Sequence, residues 1–136
     1  MPPPGPPAPD PRQDSAALAR LCVQAGEDAK ALDCCILDLR GLVWYADYFV
    51  LMSGGSTRHV QGLTEAVEKA LRAHGMKPRH REGQGDGHWV LLDCEDVVVH
   101  IFYRETREFY NLDGLWHDAP RLSLTAEDAG PAGTGA

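Results

Sequence analysis

Two short apolar runs separated by four polar residues constrain the fold of this 136-residue chain more than any other feature. Residues 89–92 and 97–102 are rich in Val, Leu, Trp, Ile and Phe, and residues 93–96 read Asp-Cys-Glu-Asp. Such residues suit a pleated, half-buried surface, and a short polar connector between two such runs predicts a β-hairpin. A third run, residues 48–52, ends at Ser53-Gly-Gly and predicts a strand covered on both faces.

Two amphipathic segments predict long helices. Asp14 or Ser15 can cap the first, whose apolar stripe recurs at helical spacing as far as Leu32. Ser56 can cap the second, whose stripe reaches His74 and which is expected to stop at the following glycine. Short strands are predicted near residues 34–39 and, at a sheet edge, 76–81, and a short helix near 106–111.

The predicted order α-β-β-α-β-β-β-α indicates an α/β fold, with a mixed sheet of about five strands and flanking helices. Seven of the ten prolines lie in residues 1–11, and the chain is rich in Ala and Gly after residue 120. We therefore predict disordered tails over residues 1–14 and 120–136 around one domain, residues 15–119. The absence of a membrane-spanning run, a secretory signal and an Arg-rich presequence predicts a cytoplasmic protein with no membrane partner.

Charge is unevenly distributed along the chain. Residues 56–81 hold six Lys/Arg against two Glu, a local charge of +4, which leaves −11 for the rest of a chain whose net charge is −7. Nucleic-acid affinity comes mostly from neutralised phosphates, so we predict a protein partner and little or no direct nucleic-acid binding. Arg79 and Arg81 are the candidates for an RNA contact.

Catalytic and metal-binding patterns find little support. The six histidines and four cysteines show no paired ligand spacing, so neither a metal nor a cofactor is predicted. A Gly-Ser turn at residues 53–56 with an acidic pair, Asp93 and Glu95, is the kind of set that a Mg²⁺-dependent nucleotidyltransferase uses. The pair lies 38 residues beyond Gly55, in a predicted hairpin turn. We therefore predict no catalytic residues, and the glycine-rich residues 82–87 are predicted to form a mobile loop rather than a phosphate cradle.

Seven short motifs follow one another along the domain: Ala46-Asp-Tyr-Phe-Val50, Ser53-Gly-Gly-Ser-Thr-Arg-His-Val60, Glu82-Gly83, Trp89-Val-Leu-Leu-Asp93, Asp96-Val-Val-Val-His-Ile-Phe102, Arg107-Glu-Phe-Tyr-Asn-Leu-Asp113 and Leu115-Trp116. Together, and in this order, they resemble the Iojap family of ribosomal silencing factors over about residues 18–119. The chain departs from the family at Glu95, where the family usually has Gly, and at Asn111, where it usually has an acidic residue.

The resemblance implies a nucleotidyltransferase-like fold that lacks the catalytic site, and hence a protein that is not an enzyme. It implies binding to ribosomal protein L fourteen of the large subunit, a steric block to small-subunit joining, and repression of translation under nutrient limitation. It also implies a homodimer off the ribosome. Three alternatives stay open: an RNA-contacting ribosome assembly factor, a residual Mg²⁺-dependent nucleotidyltransferase, and a dimeric scaffold that never meets a ribosome.

The partner contact is predicted in the last third of the domain. Tyr, Trp and Arg most often anchor protein interfaces, and this segment is rich in them. Phe102 and Phe109, in contrast, are predicted to be core residues. The predicted contact residues are Trp89, His100, Arg107, Tyr110, Leu112 and Trp116.

Overall fold

The computed structural model of the protein describes residues 9–125 and has a six-stranded mixed sheet with helices on both faces. It confirms the predicted α/β class and the order of the predicted elements, and it adds a short helix, α4, and a short strand, β6, after them. The strand order is β3-β4-β5-β2-β1-β6; β2 and β5 are parallel, and the other neighbours are antiparallel. The elements are α1 (Ser15–Asp28), β1 (Leu32–Asp38), β2 (Tyr48–Gly54), α2 (Thr57–Ala73), β3 (His80–Glu82), β4 (Trp89–Cys94), β5 (Val97–Tyr103), α3 (Arg104–Tyr110), α4 (Leu112–Leu115) and β6 (Arg121–Leu122).

The two faces of the sheet are covered differently. All seven residues of β2 are buried, as predicted for a strand with both faces covered. On one face, α1 and α2 close a core that includes Val23, Leu63 and Val99. On the other face, a smaller core around Phe49 and Phe102 is covered by the connection between β1 and β2, which contributes Ala46, and by the segment after α3, which contributes Ala119. Several large apolar side chains on this second face therefore remain exposed to solvent.

Side-chain caps mark the N-terminal ends of both long helices. Asp14 caps α1, and Ser56 caps α2 by accepting a hydrogen bond from the backbone N–H of His59 at 3.0 Å. The predicted apolar stripes extend beyond the two helices. Leu32 belongs to β1, and His74 follows α2 and is exposed. Neither these helices nor any other in residues 9–125 has the length and hydropathy that crossing a bilayer requires.

The predicted hairpin is confirmed. β4 and β5 pair from Trp89 opposite Phe102 to Cys94 opposite Val97, which leaves a two-residue turn. In that turn Glu95 has φ of 69°, a left-handed conformation that costs glycine nothing and other residues some free energy. A glycine, which is usual at this position in the family that the sequence resembles, would adopt this backbone conformation more easily than Glu95 does.

The ordered domain is wider than predicted. β6 pairs with β1, Leu122 lying opposite Ile36, so a sheet strand lies within the segment predicted to be a disordered tail. At the other end, Gln13 donates its backbone N–H to the carbonyl of Asp10 at 2.9 Å. A two-residue strand is too short to leave a periodic signal, which explains the error. The remainder of the two predicted tails, residues 1–8 and 126–136, lies outside the described residues.

The glycine-rich loop packs against α2 instead of standing free. Gly87 is buried, and a Cβ added to it would lie 3.0 Å from the carbonyl oxygen of Thr57. Its backbone N–H donates to the carbonyl of Gly83 at 3.1 Å. The prediction of a mobile loop missed these contacts because they depend on tertiary packing.

Candidate protein-docking face

Three of the seven exposed large apolar side chains in the described part of the chain lie on α3 and α4. Phe109 is 81% exposed, Leu115 69% and Tyr110 55%, although a small domain normally buries such side chains. The prediction that Phe109 is a core residue is therefore wrong, whereas Phe102 is fully buried as predicted. We call the surface formed by these three side chains together with Trp89, Leu112 and Trp116 the docking face.

Trp89 joins the docking face to the core beneath it. Its half-buried ring lies 4.9 Å from the ring of Phe102 on the core side and 4.9 Å from that of Tyr110 on the surface side. Each aromatic pair of this kind stabilises its arrangement by about 0.5–1.5 kcal/mol beyond burial. The ring of Tyr110 also contacts that of Phe109 at 5.1 Å. Tyr110 is thus held in position while its surface remains exposed.

His100 lies beneath the docking face. It is 4% exposed, and burial lowers its pKa to about 4. The Trp89 indole N–H donates to His100 Nδ1 at 3.1 Å, so the neutral ring carries its proton on Nε2, which has no hydrogen-bond partner among the described residues. His100 was predicted to contact the partner, but the structure places it where it supports Trp89.

The buried His100 predicts acid-sensitive stability. Its pKa is about 4 in the folded protein and near 6.5 when unfolded, so between these values the unfolded chain binds more protons. The free energy of unfolding is therefore expected to fall by about 2 kcal/mol between about pH 6.5 and pH 5. Urea denaturation at both pH values measures the change.

His100→Gln provides the control for this pH dependence. Glutamine retains an acceptor for the Trp89 indole but does not titrate, so this variant should be less stable overall with a much flatter pH dependence. Asp113 has a lowered pKa and titrates below this pH window. Equal pH dependence in the variant and the parent would contradict the assignment.

Arg107 fastens α3 and α4 to the sheet. Its guanidinium donates to Asp113 through Nε and Nη2, at 3.0 and 2.9 Å. Nη1 donates to the Ser53 hydroxyl at 2.9 Å and to the Asp33 carbonyl at 2.7 Å, and Nη2 reaches Cys35 Sγ at 3.8 Å. These five contacts equal the number of N–H donors in the group. Although the sequence suggested a partner contact, Arg107 is a clamp with no donor left over.

The Arg107–Asp113 pair is well shielded from water. The Arg107 side chain is only 12% exposed. Hydrogen bonds from Arg107 hold the pKa of the Asp113 carboxyl below its usual range. The pair links α3 to α4 and, through Ser53, to the end of β2. We therefore expect the docking face to be rigid because of this clamp.

Asn111 forms the junction between α3 and α4. Its φ of 50° is left-handed, a conformation that asparagine tolerates better than most residues. The Asn111 side chain accepts a hydrogen bond from the backbone N–H of Gly114 at 3.1 Å and so caps α4. The departure from the family at this position thus replaces an acidic residue with a capping amide. Leu112 and Trp116 follow half-buried, and the Trp116 ring packs edge-on against Phe49 at 6.2 Å.

Of the six predicted contact residues, four help to form the docking face, and His100 and Arg107 support it from below. Sequence analysis missed an exposed group in the loop between β1 and β2. Trp44 there is 95% exposed, with Leu42 and Tyr45 beside it, and Tyr45 lies 6.4 Å from Phe49. The signal was an apolar four-residue run, 42–45, in a segment too short for a further strand.

The candidate RNA contacts lie elsewhere, on the edge strand β3 and just before it. Arg79 pairs with Asp93 at 3.1 Å, and Arg81 pairs with Glu68 at 2.6 Å. Both cations are therefore partly neutralised by the protein itself.

The geometry does not assemble the residual nucleotidyltransferase site. Asp93 lies opposite Val98, and Ser53 lies opposite Phe102, so the acidic turn and the Gly-Ser turn are at opposite ends of the sheet. Four residues along a strand separate them by about 13 Å. Among residues 9–125, no three His, Cys, Asp or Glu side chains are grouped to hold a metal ion.

The cysteines are unsuited to nucleophilic chemistry. Burial raises the pKa of Cys34 to about 11 and that of Cys94 to about 12, and it also raises the pKa values of Cys22 and Cys35. Their thiols stay protonated at neutral pH, as suits small buried hydrophobic residues.

Comparisons with known proteins agree on one family. The model of the family described as "Ribosomal silencing factor during starvation" matches residues 12–134. A ribosomal silencing factor from Halalkalibacterium halodurans is 37% identical over 79% of this chain and 92% of its own length. The chloroplastic protein Iojap of Zea mays is 32% identical over 88% of this chain and 54% of its own. A crystal structure of a Chromobacterium violaceum protein superimposes with a TM-score of 0.75, at 30% identity, over 88% of this chain and 99% of the other. With these matches and this fold, the chain belongs to the ribosomal silencing factor family.

Proposed function

We propose that this protein represses translation under nutrient limitation by binding the large ribosomal subunit and blocking its association with the small subunit. The observation that carries the proposal is the docking face, where Phe109, Tyr110 and Leu115 are exposed on two helices fastened by Arg107. Family membership supports the ribosome as the target. Ribosomal protein L fourteen is the bound component that the resemblance of the sequence motifs implies.

Occlusion requires no chemistry. A specific interface needs about 1,200–2,000 Å² of buried surface in total, which a protein of 14.9 kDa can supply from one face. Once docked, the rest of the molecule obstructs whatever must approach the same site. The proposed mechanism therefore needs neither enzymatic activity nor a cofactor. We further propose that it acts in the cytoplasm and forms a homodimer when free.

Tyr110→Ala is expected to weaken binding to the large subunit by on the order of 2 kcal/mol, about thirty-fold in Kd. The reason is that Tyr110 presents a large amphipathic surface from a position fixed by Trp89, and such residues dominate interface energetics. Gln61→Ala, on the exposed side of α2, is the matched control and should bind like the parent. Unchanged affinity in Tyr110→Ala, with its fold intact by circular dichroism, would remove Tyr110 from the interface.

Co-sedimentation tests the function directly. The purified protein is mixed with isolated large subunits, small subunits and joined ribosomes and then centrifuged. The proposal requires pelleting with free large subunits and a decline of joined ribosomes as the protein is titrated. The absence of pelleting with any particle would refute it.

A further inference from the structure

A group of four cations lies at the edge of the sheet around β3. Arg72 lies in the last turn of α2, Lys77 and Arg79 precede β3, and Arg81 lies within it. They line an open hollow of about 500 Å³ together with Pro78 and Glu68. We call these four side chains the basic ridge.

Two of the four cations are held in position and two are free. The ion pairs to Asp93 and Glu68 hold Arg79 and Arg81, whereas Arg72 and Lys77 have no ion-pair partner within 4.0 Å among the described residues. Glu82, at the end of β3, faces His80 at 3.0 Å instead. The ridge therefore keeps a local excess of positive charge in a chain whose net charge is −7.

The basic ridge and the docking face lie at opposite ends of β4. The ridge lies beside Asp93, at the hairpin end of β4, whereas Trp89 of the docking face lies at the other end of that strand. Four residues of strand separate the two ends by about 13 Å. A surface that binds a protein through one end could therefore meet a second component through the other.

The net charge of the chain predicted little or no direct nucleic-acid binding, but the four cations are grouped at one place. We propose that the basic ridge contacts phosphate groups of ribosomal RNA beside the protein docking site, an inference that rests on the proposed function. Arginine guanidinium groups match phosphate oxygens in a two-pronged geometry, and lysine adds a mobile point charge. The acidic remainder of the chain is repelled by the RNA surface, so the ridge also orients the protein during its approach. In this proposal the docking face determines which protein is bound, and the RNA contact adds affinity and orients the protein as it approaches.

The test compares two double variants that remove the same charge. Arg72→Gln with Lys77→Gln removes the free cations of the ridge. Lys30→Gln with Arg58→Gln removes two exposed cations near the opposite end of the helical layer, where His59 Nε2 lies 3.0 Å from the carbonyl of Ala29. Binding of the full-length chains to isolated large subunits is measured at three ionic strengths between about 0.05 and 0.2 M, and binding to isolated ribosomal protein L fourteen is measured in parallel.

The ridge variant should bind large subunits roughly tenfold more weakly, with the slope of log Kd against log salt reduced by about 2. Its affinity for the isolated ribosomal protein should match that of the parent, and the control variant should behave like the parent in both assays. Three results would each overturn the RNA contact while leaving the docking proposal standing. They are an equal loss of large-subunit affinity in the two double variants, an unchanged salt slope in the ridge variant, and a loss of its affinity for isolated ribosomal protein L fourteen. A parent chain that binds no large subunits would overturn the proposed function itself.

Discussion

Replacing Arg107 with alanine is expected to lower the free energy of unfolding by about 3 kcal/mol and to abolish measurable large-subunit binding. Breaking a buried ion pair by removing one partner typically costs about 3–5 kcal/mol, and the partial exposure of Asp113 reduces that figure. The variant also leaves the Ser53 hydroxyl and the Asp33 carbonyl without their shared donor. Urea denaturation gives the stability change, and hydrogen exchange over residues 104–116 reports whether α3 and α4 separate from the sheet.

Arg104→Ala is the matched control, because Arg104 begins the same helix and is exposed. It should change stability by less than about 0.5 kcal/mol. Arg107→Lys should fall between the two, because lysine keeps the charge but cannot make the two-pronged contact with Asp113. If Arg107→Ala costs no more than Arg104→Ala, the clamp does not hold the docking face.

Gly83→Ala is expected to destabilise the protein by roughly 3 kcal/mol, for two separable reasons. Gly83 has φ of +85°, a left-handed conformation that is unfavourable for alanine, and its added Cβ would lie 2.0 Å from the backbone carbonyl oxygen of Trp89. Since that oxygen is part of the main chain, β4 must shift to make room. The shift displaces Trp89, so binding to the large subunit should weaken as well.

Two other glycines separate the two causes. Gly75 has φ of +72° but open space around it, so Gly75→Ala should cost only the backbone term, about 1 kcal/mol. Gly85 has open space and no left-handed φ, so Gly85→Ala should be close to neutral. Thermal or urea denaturation of the three variants gives the series. Equal costs for Gly83→Ala and Gly75→Ala would show that the Trp89 carbonyl moves away freely.

The fold could be predicted from the sequence wherever a local pattern coincides with a structural element. The run at residues 48–52, the polar hairpin turn and the two capping residues each act within a few neighbours, and all were confirmed. β6 was missed because a two-residue strand has no periodicity of its own and exists only through its pairing with β1. The packing of Gly87 against Thr57 was not predicted either, because it is a tertiary contact that no local sequence pattern indicates.

The docking face was only partly predictable. Composition identified the aromatic segment, but the exposure of each side chain depends on how α3 is placed. Phe109 was assigned to the core because large apolar residues are usually buried, yet α3 has no buried residue. Arg107 was assigned to the partner because arginine often anchors interfaces, and its internal acceptors come from residues 33, 35, 53 and 113, which no sequence spacing brings together.

The parallel pairing of β2 with β5 also governs how the chain reaches its folded state. β1 with β2 and β4 with β5 form antiparallel pairs from neighbouring segments, whereas Val50 pairs with Val99, almost fifty residues further along the chain. Closing that long loop has an entropic cost that must be met before the central contacts form, and such non-local contacts slow folding. We therefore expect the two local pairs to form first and their joining to be the slow step of folding, which the dependence of the folding rate on mutations in β2 and β5 would test.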